Sequence, residues 1–359
     1  MTRNRRGRWS HTRWVALAAI ALAPQVGASS LPDEAMQRGL ALLSRATLVE
    51  GLRSADTPPF HLHAHVRVLG LVAGTRDGEY TLVFAAPDRW SVRLDFPGYS
   101  EAVGVWEGRQ WRKRNTLDRP FQFDEVLRLF DLGSHLALAP EATFREVWQR
   151  LEGAKTQLCV TVSPEREVWQ RETYGTSKLT ELAVRKDSSY DLCFDGDTGM
   201  LAQARYALPL PRFTFEGAVA LGSKTFPKTL RCWEGNELAI EATVAELAPA
   251  GAAELPAVAP PAGAESWPAC AEPALPTLIV KGEAPRTSSA SARGQFATVV
   301  LLAEVGRDGL LHDLTPVQAH GSAPVAPLRS AVANWRYQPA TCNGVPVPMR
   351  IYLSYSFLP

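Results

Sequence analysis

The chain has 359 residues, 46% hydrophobic and 21% charged, a globular composition long enough for two domains and unlike that of a disordered or fibrous protein. Its formal net charge of +1 lacks the basic excess of a dominant nucleic-acid binder. None of the five cysteines forms a C-x-x-C pair, which argues against zinc and thioredoxin-type redox sites.

Charge is unevenly placed. Residues 1–28 carry Arg3, Arg5, Arg6, Arg8 and Arg13 and no acidic residue. An apolar run over 15–23 follows, then Pro24 and the small residues Val26, Gly27 and Ala28. A basic start, a short apolar middle and a small-residue end predict a secretory signal cleaved between Ala28 and Ser29. From Trp14 to Ala28 a helix would reach only about 22 Å, short of a hydrocarbon core of roughly 30 Å. The expectation is a periplasmic protein; the alternative, if the segment stays uncleaved, is an inner-membrane anchor. Cleavage leaves the mature chain weakly acidic.

Residues 32–52 predict a helix, with Leu40, Leu42, Leu43, Leu48 and Leu52 near one face and Asp33 placed to cap it. Pro58 and Pro59 end it, and the period then changes to two. Phe60, Leu62, Ala64, Val66 and Val68 alternate with His61, His63, His65 and Arg67, the pattern of a half-buried strand. Further strand-like runs cover 79–84, 90–96, 101–106 and 110–114, the last after a Glu107-Gly108 turn. A short helix is expected at 124–129. A second is expected at 140–151, where Phe144, Val147, Trp148 and Leu151 have helical spacing.

Strands resume at 158–162, 178–185, 190–194, 201–208, 225–233 and 238–247, with a turn from Asp195 to Gly199. Helices do not alternate with strands, so residues 32–247 read as one long antiparallel sheet with a few helices, not as parallel α/β. Eight prolines crowd residues 248–285, the composition of a semi-rigid spacer, interrupted by a short strand at 277–281. Beyond Gln295 come a strand at 296–305, a turn at 306–309, a strand at 310–317, a helix at 327–335 and a final strand at 349–357.

Export permits disulfides. Cys159 and Cys193 fall in two strand-like runs and are the expected bridge; Cys232, Cys270 and Cys342 stay unassigned. His61, His63 and His65 share a strand face, but the first and third lie about 13 Å apart, too far for one zinc to take all three. A pair would need an outside ligand, and a solvated outer face is the favoured reading. Asp195, Asp197 and Gly199 lack the remaining ligands of a calcium loop and read as a hairpin turn. The run 106–114, with two tryptophans and Arg109, Arg112, Lys113 and Arg114, reads as an exposed hairpin, with an anionic headgroup as its possible contact. Nucleophile-elbow, zincin, P-loop and dinucleotide signatures are all missing, so no catalytic, cofactor or metal residue is assigned and the chain is read as non-enzymatic.

Two resemblances add to this. The order strand, turn, strand and short helix ending in Trp335, Arg336, Pro339 and Ala340, then Asn343-Gly344-Val345-Pro346-Val347 and a last strand, resembles the TonB C-terminal domain family over about residues 290–359. The family's Tyr-Pro pair before its first strand is replaced by residues 291–295. The resemblance implies a small three-stranded antiparallel βαβ-type domain. Its last strand, with Arg350, Ile351, Tyr352, Leu353, Ser354 and Tyr355, would form a partner-binding edge. Residues from about 32 to 247, through Pro59-Phe60, Ala86-Pro87-Asp88-Arg89-Trp90, Asp95-Phe96-Pro97-Gly98-Tyr99 and Cys193-Phe194-Asp195, resemble the LolA-like periplasmic lipid and lipoprotein carriers. That resemblance implies a curved antiparallel half-barrel with a hydrophobic cavity for acyl chains.

The domain plan is thus a signal at 1–28, a β domain at 29–247, an Ala/Pro-rich linker at 248–290 and a second, α+β domain at 291–359. The expected function is that of an exported binding protein, with an apolar ligand or lipoprotein in the first domain and an envelope protein on the second. The alternatives are a TonB-family energy transducer and an envelope scaffold that carries no ligand.

Overall fold

A computed structural model of the chain describes residues 37, 41, 52–69, 75–116, 121–130, 142–153, 155–164, 169–172, 179–185, 190–206, 211–270, 273–280, 297–320 and 325–357. The segment 1–28 with its cleavage site, and nearly all of the helix expected at 32–52, lie outside the described residues.

Among the described residues the protein is mainly β, with a large open antiparallel sheet and few helices. A meander opens it: β1 (Phe60–Val68), β2 (Arg76–Ala86), β3 (Arg89–Phe96), β4 (Tyr99–Trp106) and β5 (Arg109–Arg114). Helix α1 (Phe121–Phe130) follows. Next come β6 (Ala142–Glu152), β7 (Lys155–Pro164), β8 (Trp169–Glu172), β9 (Leu179–Arg185), β10 (Tyr190–Asp195), β11 (Leu201–Tyr206) and β12 (Arg212–Glu216). A small hairpin, β13 (Val219–Leu221) and β14 (Lys224–Phe226), leads to β15 (Thr229–Glu234) and the long β16 (Glu237–Pro249). Thirteen strands form one sheet in the order β17-β5-β4-β3-β2-β1-β16-β15-β12-β11-β10-β7-β6, with β17 spanning Glu265–Pro268.

Alternation makes the sheet two-faced. In β1, Phe60, Leu62, Ala64, Val66 and Val68 are buried, and the histidines face the other way. Tyr80, Leu82 and Phe84 of β2, Val92, Leu94 and Phe96 of β3, and Ile240, Ala242 and Val244 of β16 join the same core. On β4, Gly104 sits where a side chain would strike the Trp111 ring at 2.7 Å, so only glycine admits that buried tryptophan.

Residues 140–151 correct an expectation: Ala142–Glu152 is a strand, not a helix. It pairs with β7 throughout, and a register shift between Phe144 and Glu146 breaks its period of two. That bulge creates the three-and-four spacing of apolar residues that reads as helical. Leu151 is 75% exposed, which a core-facing helix position would not be.

The Ala/Pro-rich segment is a second correction, because it is not a free spacer. Val258, in a 3-10 turn at Leu255–Val258, is 2% exposed, and β17 extends the large sheet by pairing with β5. Trp267 is buried, and its Nε1 donates to Gln110 Oε1 at 2.8 Å. Cys270 lies at disulfide distance from Cys342, and β18 (Thr277–Val280) pairs with β21 (Arg336–Gln338). Such anchors hold the described part of this proline-rich run, residues 248–270 and 273–280, against the rest of the protein.

The C-terminal region contains β19 (Ala297–Val305), β20 (Leu311–His320), helix α2 (Val325–Val332), β22 (Ala340–Cys342), β23 (Val345–Val347) and β24 (Met349–Phe357). Its sheet is five-stranded, in the order β20-β19-β24-β9-β8. The three strands expected there are thus joined by two from the 169–185 region. Trp335 is fully buried, 5.9 Å from the Tyr355 ring centroid, among Leu328, Val332, Leu301 and Leu353. Asn343 and Gly344, both at positive φ, turn β22 into β23.

Candidate functional site

The apolar face of the large sheet, where the LolA-like resemblance implies a ligand cavity, is a packed core. Helix α1 lies against it. Phe123, Val126, Leu129 and Phe130 are buried, a spacing that places them on one side of the helix. The contacts are aromatic: Phe130 stacks on Tyr80 at 3.8 Å, Phe123 lies 4.4 Å from Phe96 and 4.5 Å from Tyr99, and Phe130 reaches Phe226 at 6.3 Å. Trp90 of β3 is half-buried beneath the Arg53 guanidinium at 4.2 Å.

The same helix buries charge. Glu125 is fully buried, and neither carboxylate oxygen has a hydrogen-bond partner among the described residues. Burial pushes its carboxyl up to about 7, opposed by the Arg128 guanidinium 3.4 Å away. Asp124, Arg350 and Glu234 act on it more weakly. Opposite lies Cys232, free and buried, whose thiol is pushed well up, first by burial and then by Glu125.

Arg350 and Tyr352, two residues of the expected partner edge, face α1. Arg350 pairs with Asp124 and lies 3.6 Å from Asp313; Arg128 donates to the Tyr352 hydroxyl at 2.9 Å. Ile351, Leu353 and Tyr355 point into the second core. Ser354 pairs through its backbone with Val300 and Ala183. The edge is therefore not bare: β9 pairs with β24 from Tyr352 to Phe357.

The basic run of β5 is likewise engaged. Arg112 pairs with Glu304 at 2.7 Å, Arg114 with Asp313 at 2.9 Å, Lys113 donates to the Ala262 carbonyl and Arg109 to Ser266. These cations hold the proline-rich segment and the C-terminal region, a role invisible in the local sequence. Between them lies a polar cleft of about 530 Å³, lined by Arg112, Arg114, Glu304, Asp308 and His312.

Cys159 and Cys193 face each other on β7 and β10, with Cα atoms 4.0 Å apart, at disulfide distance. Asp195 spends its carboxylate on its own turn, accepting from the backbone N–H of Asp197 and of Thr198. Among the described residues no helix is long and apolar enough to cross a membrane.

The fold and this face define a mainly β protein built on a large antiparallel sheet whose apolar side is covered by a short amphipathic helix. No family model matches the chain, and no curated protein matches it. Among solved structures it is similar to a LolA superfamily protein from Nitrosomonas europaea, at 8% identity and TM-score 0.36, over 59% of this chain and 93% of that one. It is also similar to a DUF1329 family protein from Desulfovibrio piger, at 12% identity and TM-score 0.37, over 62% of this chain and 98% of that one.

Proposed function

We propose that the mature chain, beginning at Ser29, is an exported periplasmic binding protein without enzymatic activity. The curved sheet takes an apolar ligand, a lipid or the acyl chain of a lipoprotein, and residues 291–359 form a TonB-like unit that meets an envelope protein. One observation carries the ligand reading. The aromatic part of the apolar face is covered by the ten-residue α1, which itself buries the Glu125 carboxyl without a hydrogen bond. A buried polar group left in that state costs roughly 1–3 kcal/mol, and lifting α1 to admit a chain would return that carboxyl to water. Two cysteine pairs at disulfide distance support an oxidising compartment.

The edge Arg350 to Tyr355 belongs to the same proposal, with one change of route. Because β9 occupies it, an extended peptide would pair with β24 by taking the place of β9.

The test is mass spectrometry of lipids extracted from the mature protein purified from periplasm, together with titration by a fluorescent fatty acid. Co-purified acyl lipid and saturable probe binding are expected. Neither lipid nor probe binding would sink the carrier reading and leave the scaffold alternative.

A further inference from the structure

We propose that His63 and His65 of β1 and Glu79 of β2 form a binding site for a divalent transition-metal ion on the outer face of the large sheet, opposite the apolar side. Residues two apart on a strand point the same way and lie about 6.6 Å apart, so neighbouring histidines can serve one ion where His61 and His65 cannot. The outside ligand such a pair requires is supplied by strand pairing. In the antiparallel register of β1 and β2, His65 stands directly opposite Glu79, and His63 opposite Thr81.

Glu79 reaches both rings. Its Oε2 lies 2.9 Å from His63 Nε2, and its Oε1 lies 2.9 Å from His65 Nδ1. The ligand atoms of all three side chains fall within 4.8 Å of one another. Glu79 Oε2 is buried and, apart from its 2.9 Å approach to His63 Nε2, makes no hydrogen bond among the described residues. Tetrahedral bonds of about 2.0–2.1 Å put ligand atoms about 3.3 Å apart, so the two glutamate–histidine contacts, now 2.9 Å, open slightly while the most distant pair, within 4.8 Å, closes, by side-chain rotation on a fixed pair of strands.

The donor set selects the ion. Two imidazole nitrogens and one carboxylate oxygen suit Zn²⁺, Cu²⁺ or Ni²⁺ and are poor ligands for Mg²⁺ and Ca²⁺, which prefer oxygen alone. Solvent completes the shell, since the His65 side chain is 64% exposed. His61 is outside the site: it is held by Glu246 at 3.4 Å and Glu254 at 3.1 Å. Arg67, next along the same face, is occupied by Asp77.

The experiment is calorimetric titration of the untagged, chelator-treated full mature chain with ZnCl₂, with CoCl₂ absorption spectra as a second readout. The expected result is one strong site, weakened at least tenfold in each of His63→Ala, His65→Ala and Glu79→Gln and unchanged in His61→Ala. Co²⁺ should give visible bands that the first three variants lose, and MgCl₂ should give no heat. Circular dichroism separates lost ligands from lost fold, and a variant that misfolds is replaced by His65→Gln, which keeps the strand polar. No strong zinc site in the wild-type chain, equal loss in His61→Ala, or full zinc binding by the folded His63→Ala/His65→Ala double variant would overturn the assignment.

Discussion

The Arg112 guanidinium lies 2.7 Å from the Glu304 carboxylate, joining the β5 end of the large sheet to β19 of the small one. Both side chains are mostly buried, at 11% and 7% exposure, so the pair is shielded from solvent and sensitive to the loss of either member.

Arg112→Ala should lower the unfolding free energy by about 3 kcal/mol, because it strips the buried Glu304 carboxylate of its Arg112 partner, and Glu304→Gln should cost less, because Arg112 keeps Glu265 at 3.4 Å. Replacing both by Met should cost less than either single change. Urea unfolding of the three variants checks this, and additive losses would show that the two residues act separately.

Glu125 gives stability a pH dependence. Its folded pKa is about 7 against an ordinary 4.5, so between these values the folded state holds a proton that the unfolded chain has released. The group's contribution is full below 4.5 and is lost as pH rises through 7. Glu125→Gln cannot ionise, so its stability relative to wild type should rise from pH 5 to pH 8 by up to about 3 kcal/mol. Urea midpoints at the two pH values measure it; a constant difference would mean that Glu125 does not titrate in this window.

Thiol titration tests the covalent frame. With Cys159 paired to Cys193 and Cys270 to Cys342, the native oxidised chain should show no reactive thiol, and the unfolded, unreduced chain one, from Cys232. Three thiols on unfolding would remove one bridge. Cys342→Ser should cost roughly 2–4 kcal/mol, since its loop spans 72 residues.

Trp267→Ala should destabilise by about 3 kcal/mol, because the ring is buried against the β5 edge. It should also expose residues 248–285 to protease. If the cleavage rate there is unchanged, Trp267 does not anchor the segment.

Much of this architecture was legible. Strict alternation announced β1, and the β2 to β5 meander followed from strand runs and the Glu107-Gly108 turn, because period and turn chemistry are local properties. The strand β6 was misread because one bulge converts a period of two into something near 3.6. The proline-rich run was misread because composition averages over single anchors such as Val258 and Trp267. Contacts set by register escaped entirely. Nothing around residue 79 says that a glutamate will face two histidines fourteen and sixteen positions earlier. Nor does residue 185 announce a partner at 352.

The placement of β9 sets an order of events for the growing chain. Leu179–Arg185 is synthesised well before Met349–Phe357, yet its backbone finds its neighbour there. Until then the nascent protein carries a strand edge with nothing to pair against, the kind of surface that recruits chaperones or other copies of itself. Contacts so distant in sequence form slowly. Cutting a fragment at residue 277 would reverse the fault, giving a β24 paired with β19 on one side and bare on the side that β9 covers, so such a fragment should self-associate where the whole chain does not.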